Sequence, residues 1–396
     1  MKDINEIIKK IDFYKEEIIA FTQNLIKINS VNGNETEVCK LIKEKLSEHG
    51  IKSKLVGNDK KRLNLIAKIE GRKHSKTLML NGHTDTVPFG DLSKWKYKPL
   101  SGKFVDGKIY GRGAADMKGG IASVAFAAIA LRELKIGLKG DLILTFTANE
   151  ENPSSDKIVW TGVQYLLNKG IRADACIIAE PTDKISLGSR GVYRFELKTK
   201  GKSAHTGRTS VLGINAVTKM AKILLALEKI KMTYKPYKYF PKPRISPGTI
   251  IQGGISINII PDECKALVDC RLSYGQTREL IRKDINRVIS QLKKEDKELD
   301  VKIKELQYIP PAVINENHKI ISVIKKNAEK ILGYRPGLKV SGPAGDNNFL
   351  ISAGIPTVIF GPKGENFHSE NEYVIAKSIL DTAKVFALAA VDFLGD

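Results

Sequence analysis

Thr77-Leu-Met-Leu-Asn-Gly-His-Thr-Asp85 reveals the architecture of the chain. Its first half is apolar without the strict alternation of a half-buried strand, and its second half turns abruptly polar. Leu142-Ile-Leu-Thr-Phe146, Ala175-Cys-Ile-Ile-Ala179 and Pro356-Thr-Val-Ile-Phe360 repeat the apolar half. Runs of this kind suit strands buried on both faces of a mostly parallel sheet. Helical patterns intervene at Gly120 to Leu134 and Gly162 to Lys169, so an α/β domain with helices on both faces is predicted. Residues 1–30 read as one amphipathic helix, and Asn34-x-x-Glu37 as a capping box that opens the next.

From about residue 190 the period changes. Val192 to Lys198 alternates, with Tyr193, Phe195 and Leu197 on one face and Arg194, Glu196 and Lys198 on the other. A helix carrying Ile214, Val217, Ala221 and Leu224 comes next, then strands at Thr249–Ile259 and Cys264–Leu272. A second helix (Ile281, Ile285, Val288, Leu292) and a strand through Leu299, Val301 and Ile303 complete a β-α-β-β-α-β order. That is the ferredoxin-like arrangement. It predicts an inserted lid or dimerisation domain over 190–306, interrupting a catalytic domain made of 1–189 plus 307–396.

Composition narrows the class. The chain has 396 residues, 42% of them hydrophobic, and 65 Lys+Arg against 44 Asp+Glu give a net charge of +21. This excludes a disordered, collagenous or coiled-coil chain. The apolar stretch Ile121 to Leu131 stops at Arg132, too short to span a bilayer. The N-terminus mixes Ile with Asp, Glu and Lys and lacks a signal-peptide core, so a cytoplasmic protein is expected. Cys39, Cys176, Cys264 and Cys270 show no metal-ligand spacing and read as buried free thiols.

The residues just past each apolar run carry the chemistry. Leu80 leads to His83 and Asp85, Phe146 to Glu150 and Glu151, Ala179 to Glu180, and Phe360 through a Gly-Pro-Lys-Gly loop to His368. Ligands of open α/β sheets bind outside the carboxyl ends of the strands. Asp116 lies between, on the Gly-rich loop Gly111-Arg-Gly-Ala-Ala-Asp-Met-Lys-Gly-Gly120. Singly, a His-x-Asp pair, a Glu-Glu strand end and a glycine loop are each ordinary turn features. Together they supply two imidazoles and several carboxylates with no thiolate, the donor set of a catalytic zinc or mixed N/O dimetal site. In extended chain Asp85 points the same way as His83, so its carboxylate is expected to accept the imidazole's second N–H. Asp116 is the isolated candidate for a bridging ligand. Of Glu150 and Glu151, one is expected to bind metal and the other to act as general base.

These motifs make the chain similar to the dizinc aminoacylase/carboxypeptidase superfamily, which includes acetylornithine deacetylase, succinyl-diaminopimelate desuccinylase and glutamate carboxypeptidase. The resemblance rests on Asn81-Gly-His-Thr-Asp-Thr-Val-Pro88, the Gly111–Gly120 loop, Glu150-Glu151, Ala179-Glu-Pro-Thr182 and Phe367-His368, and covers nearly the whole chain. It implies two Zn2+, with Co2+ or Mn2+ as substitutes. His83 and Glu180 would hold one ion, Glu151 and His368 the other, with Asp116 between them. It further implies that Asp85 orients His83, that Glu150 is the general base, and that a cis peptide comes directly after Asp116. His205, in Lys202-Ser-Ala-His205-Thr-Gly207, would stabilise the oxyanion, from the other subunit in dimeric members. Asn258 and Arg271 match positions that hold polar and carboxylate groups of the substrate, although Arg271 reads equally well as a solvated sheet arginine. Asn149, where many members have Asp, and Ser341-Gly-Pro-Ala-Gly-Asp-Asn347, a partial match to a substrate loop, depart from the pattern.

The function implied is hydrolysis of the amide bond of an N-acyl amino acid, in amino-acid biosynthesis, by a homodimer joined through the inserted domain. Cleavage of dipeptides or of a C-terminal residue is the alternative. From another class, the charge of +21 and the loop Lys235-Pro-Tyr-Lys-Tyr-Phe-Pro-Lys-Pro-Arg244 raise binding of nucleic acid or an acidic carrier. Three prolines make that loop an extended segment, and neither nucleic acid nor membrane is the expected partner.

Overall fold

The computed structural model describes residues 4–151, 161–208 and 212–395. The opening run forms the strand Thr77–His83, buried almost throughout. Asp141–Thr147 and Ala175–Ile178 flank it in parallel, and Thr357–Ile359 lies parallel beyond the latter. All four apolar runs are therefore adjacent central strands. Antiparallel strands close the margins: Ser53–Val56 and Asn64–Ile69 on one side, Ile185–Ser189 and Ala312–Val313 on the other. The apolar runs lack alternation because both faces of the central strands are covered.

Gly119–Glu133 has no exposed flank in its Gly119–Leu131 body, and it packs against Ala376–Leu394 and the Thr77–His83 strand. By length and composition the longer stretch Ala114–Glu133, which contains this helix, could cross a membrane, yet 94% of its apolar window is buried inside the protein. Gly120 explains the closeness of the fit, since a Cβ there would lie 2.0 Å from the carbonyl oxygen of Ala179. Any side chain would push the helix off the strand end that leads into Glu180.

A second hydrophobic core belongs to the inserted unit. Strands Gly191–Lys200, Arg244–Gly253, Glu263–Leu272 and Asp300–Ile309 form an antiparallel sheet in which Glu263–Leu272 and Gly191–Lys200 are central. Helices Ala216–Glu228 and Arg278–Glu295 cover its Tyr193, Phe195 and Leu197 face with Met220, Ile223, Ile281 and Ile285. The β-α-β-β-α-β order read from the sequence is present.

Three local expectations need correction. The N-terminal segment is two helices, Ile4–Phe13 and Lys15–Lys27, parted at Tyr14. Asn34 caps nothing: the next helix, Thr36–Glu48, starts from Glu35 with no side-chain cap, because Glu35 is turned inward to accept from Gly33 N–H and Arg62. The strand expected at 249–259 runs instead over Arg244–Gly253, kinked by a bulge between Pro247 and Ile250 and ended by Gly254 at φ +81°. Only glycine adopts that conformation freely.

Candidate metal centre

His83 ends its strand with a ring that is 1% exposed. Its Nδ1 lies 3.0 Å from the backbone carbonyl of Asp85 and 3.6 Å from the Asp85 carboxylate. The backbone carbonyl is the nearer partner and the Asp85 carboxylate stands beside it, and together they aim Nε2 at Asp116. The Asp85 carboxylate does other work: it accepts the N–H groups of Glu150 (3.1 Å) and Glu151 (2.8 Å) and the Asn32 amide (3.0 Å). Those two N–H bonds aim the carboxylates at the end of strand Asp141–Thr147. Asn32 also donates to Asn149, which Arg62 contacts as well, and Arg62 pairs with buried Glu35. A neutral amide at Asn149 suits this arrangement, since Arg62 already has its carboxylate.

Asp116 comes after Gly113, at φ +78°, and precedes a cis peptide bond to Met117. Its two oxygens face different histidines: Oδ1 is 3.0 Å from His83 Nε2 and Oδ2 is 3.2 Å from His368 Nε2. His368 Nε2 is also 2.8 Å from Glu151 Oε1. A small antiparallel sheet, with Lys108–Tyr110 paired to Tyr373–Ile375, brings the His368 loop alongside the Asp116 loop. Ligand atoms of His83, Asp116 and Glu151 gather within 4.8 Å, and so do those of His83, Glu150 and Glu180. His83 belongs to both groups, so the donors form one connected cluster.

The electrostatics describe a site short of positive charge. Burial, then neighbouring carboxylates, pushes Glu180 up to about 8; burial raises Glu150 well above the usual carboxylate range, and it raises Glu151 as well, against the opposing hydrogen bond from His368. Burial would raise Asp116 as well, but the hydrogen bonds from His368 and His83 hold it low. His368 is pushed up to about 10 by its hydrogen bonds to Asp116 and Glu151. Among the described residues no lysine or arginine pairs with Asp116, Glu150, Glu151 or Glu180. Buried anions require counter-charge. Imidazole and carboxylate donors without thiolate fit zinc, cobalt or manganese.

Two supporting residues escaped the sequence reading. Glu372 is buried and accepts four donors: Arg112 (2.8 Å), Gly113 N–H (2.9 Å), Ala115 N–H (2.9 Å) and Asp116 N–H (3.0 Å). It holds the Asp116 loop in shape, and only its place four residues after His368 hints at a role. Asp346 accepts from Thr147 Oγ1 at 3.1 Å and lies behind Glu150 and Glu180, where burial pushes it up to about 7.

The remaining predicted residues stand apart from the cluster. His205 is exposed on a turn of the inserted unit, its Nδ1 accepting the Gly207 N–H. Asn258 is exposed, its carbonyl bound to Thr206 N–H and its side chain to Ser256. Arg271 is half-buried and pairs with Asp269, which Arg194 shares. In the basic loop, Tyr237 stacks on Tyr274 with ring centroids 4.3 Å apart and Lys238 pairs with Glu316, so its rings are engaged within the protein.

Strand ends that converge two imidazoles and buried carboxylates on one α/β sheet define a metal-dependent hydrolase acting on amide or peptide bonds. Comparison with known proteins agrees. The model of Peptidase family M20/M25/M40 matches residues 79–392, and the chain belongs to that family. It is 28% identical to N-formyl-4-amino-5-aminomethyl-2-methylpyrimidine deformylase of Bacillus subtilis, over 97% of this chain and 96% of that protein. Among solved structures it resembles aminopeptidase PepT from Bacillus cereus, with TM-score 0.77 and 24% identity, covering 96% of this chain and 99% of that one. It also resembles the Bacillus subtilis YXEP protein, described as a dinuclear metal-binding peptidase of the M20 family. There the TM-score is 0.73 and the identity 20%, over 97% and 99% of the two chains.

Proposed function

We propose that this chain removes the acyl group from an N-acyl amino acid, in the manner of an acetylornithine deacetylase or succinyl-diaminopimelate desuccinylase, with Glu150 as general base. The observation that carries the reading is Asp116, whose two carboxylate oxygens face two different imidazoles. A carboxylate so placed suits a pair of metal ions, His83 and Glu180 holding one and Glu151 and His368 the other. Two zinc ions, or cobalt or manganese in their place, would lower the pKa of a water and polarise the scissile carbonyl. Glu150 is buried beside Glu180 and His83 with its carboxyl raised by that burial, which suits a group that takes a proton from water and passes it to the leaving amine.

Ile250, Ile251, Ile255 and Ile257 are exposed on and just after the outer strand Arg244–Gly253 of the inserted unit. Such a patch on a free edge supports a homodimer through this unit, with His205 serving a neighbouring copy. The Bacillus subtilis deformylase is named for removing a formyl group, which favours acyl release; the structural likeness to a peptidase keeps peptide cleavage as the second reading.

The test is a hydrolysis panel on zinc-loaded protein: N-acetylornithine, N-acetyllysine, N-succinyl-diaminopimelate, other N-acyl amino acids and simple dipeptides. Turnover of an acyl amino acid above all dipeptides is expected. It should vanish on chelation and fall by about 10²–10⁴ in Glu150→Ala. Full turnover in that variant refutes the assigned base.

A further inference from the structure

The chain crosses between the central sheet and the inserted unit twice, and the crossings lie side by side. Val192 pairs with Ile309 on the inserted side and Ser189 with Ala312 on the sheet side. Between them stand Pro310 and Pro311, neither of which has an N–H to give. The ladder cannot continue through this point, and a side chain takes over. Buried Asn348 donates from Nδ2 to the Pro310 carbonyl at 2.8 Å, with the Arg190 and Ser189 carbonyls at 3.3 and 3.4 Å. Its Oδ1 accepts the Gly345 N–H at 2.9 Å, which fixes the amide's orientation.

Arg190 completes the joint from the other side. Its N–H donates to Ser341 O at 3.0 Å. Its guanidinium reaches into the inserted unit, to the carbonyls of Arg271 (2.8 Å), Lys242 (3.0 Å) and Leu272 (3.3 Å). Both crossings are thus gripped from the first turn of one short helix, Asp346–Ser352. That same turn abuts the metal centre: Asp346 bonds Thr147, and a Cβ on Gly345 would lie 2.7 Å from Glu150 Oε1.

We propose that Asn348 is a positioning residue that fixes the attitude of the inserted unit on the central sheet and ties that attitude to the placement of Glu150. An amide is required because the groups it meets are carbonyls. Aspartate has the same shape but no N–H, and would turn a carboxylate towards three oxygens. The coupling to turnover rests on Glu150 acting as base; the fixing of the hinge does not.

The test uses the full chain with spin labels at Lys302→Cys on the inserted unit and Lys330→Cys on helix Lys319–Leu332, the four native thiols being buried. Asn348→Asp and, as a variant that leaves the helix turn intact, Arg190→Leu are compared with the parent. Each is expected to at least double the width of the distance distribution and to lower kcat at least tenfold, with metal content per chain unchanged. Distributions as narrow as the parent's in both variants overturn the proposal. Doubled widths with unchanged kcat overturn the tie to Glu150. If the parent cleaves no substrate at all, the proposed function fails, while the widths still decide the hinge.

Discussion

Replacing Glu372 with glutamine tests whether the Asp116 loop is held from beneath. Oε2 of Glu372 accepts Arg112 and Gly113 N–H, and Oε1 accepts Ala115 N–H and Asp116 N–H. Glutamine keeps one acceptor and turns an NH2 group towards two donors, so two of the four bonds are lost. A hydrogen bond to a charged group contributes roughly 1.5–3 kcal/mol, so that loss alone is about 3–6 kcal/mol. The charge opposite Arg112 also disappears, and breaking a buried pair costs on the order of 3–5 kcal/mol. These figures overlap because they share the Arg112 contact. Arg112 also retains Ser369 O at 3.1 Å and the Trp95 ring at 5.2 Å, which softens the loss. A destabilisation of about 3–5 kcal/mol is expected, an unfolding midpoint lower by on the order of 4–6 °C in a chain of this size. Metal content should fall in step, since the loop that carries Asp116 is no longer held on both carboxylate oxygens. Thermal unfolding followed by circular dichroism, with zinc quantified on the purified variant, measures both. A midpoint within about 1 °C of the parent (roughly 1 kcal/mol by the same scaling) together with full metal content would show that Glu372 does not hold the loop.

The metal-free protein should lose stability as pH rises from about 5 to about 8. Glu180 near 8 and Asp346 near 7 keep protons in the folded chain that the unfolded chain has already released, so raising the pH favours unfolding. His368, raised to about 10, acts in the same direction, because its stabilising charge is lost as pH climbs towards that value. Saturating zinc should flatten the profile, and a midpoint that climbs over this window without metal would sink the argument. Gly345→Ala should lower kcat by about tenfold or more with little loss of stability, because its Cβ meets Glu150 Oε1 while the backbone there is extended. Parental turnover in that variant would mean Glu150 is free to shift without consequence.

The central sheet was legible because its four parallel strands are buried on both faces, and that leaves a local mark in unbroken apolar runs. The donors were legible for a related reason: topology puts function at strand ends, so His83, Glu150, Glu151 and Glu180 sit at positions a pattern can find. Asp116 and His368 lie off the strand ends, and the glycine-rich loop and the Gly-Pro-Lys-Gly loop marked them instead. The residues that hold these groups in place left no such mark. Glu372 acts on backbone N–H groups some 260 positions away, and Asn348 on carbonyls of two distant crossings. Contacts with backbone carry no partner identity in the sequence. Spacing places Asp85 on the side of His83 but does not show that its backbone carbonyl is the ring's nearer partner, or that its carboxylate also accepts the Glu150 and Glu151 N–H groups.

The paired crossings have a consequence for how the chain assembles. Ser189 and Ala312 are neighbours in the central sheet although the entire inserted unit lies between them in sequence. For an unstructured connection that length, closing the loop would be an entropic cost that grows with its logarithm. Here the Val192–Ile309 pairing already holds the two ends together. Once the inserted unit has formed, the central sheet meets a connection no longer than a tight hairpin. A pairing that looks distant along the sequence becomes local in space before the sheet has to make it.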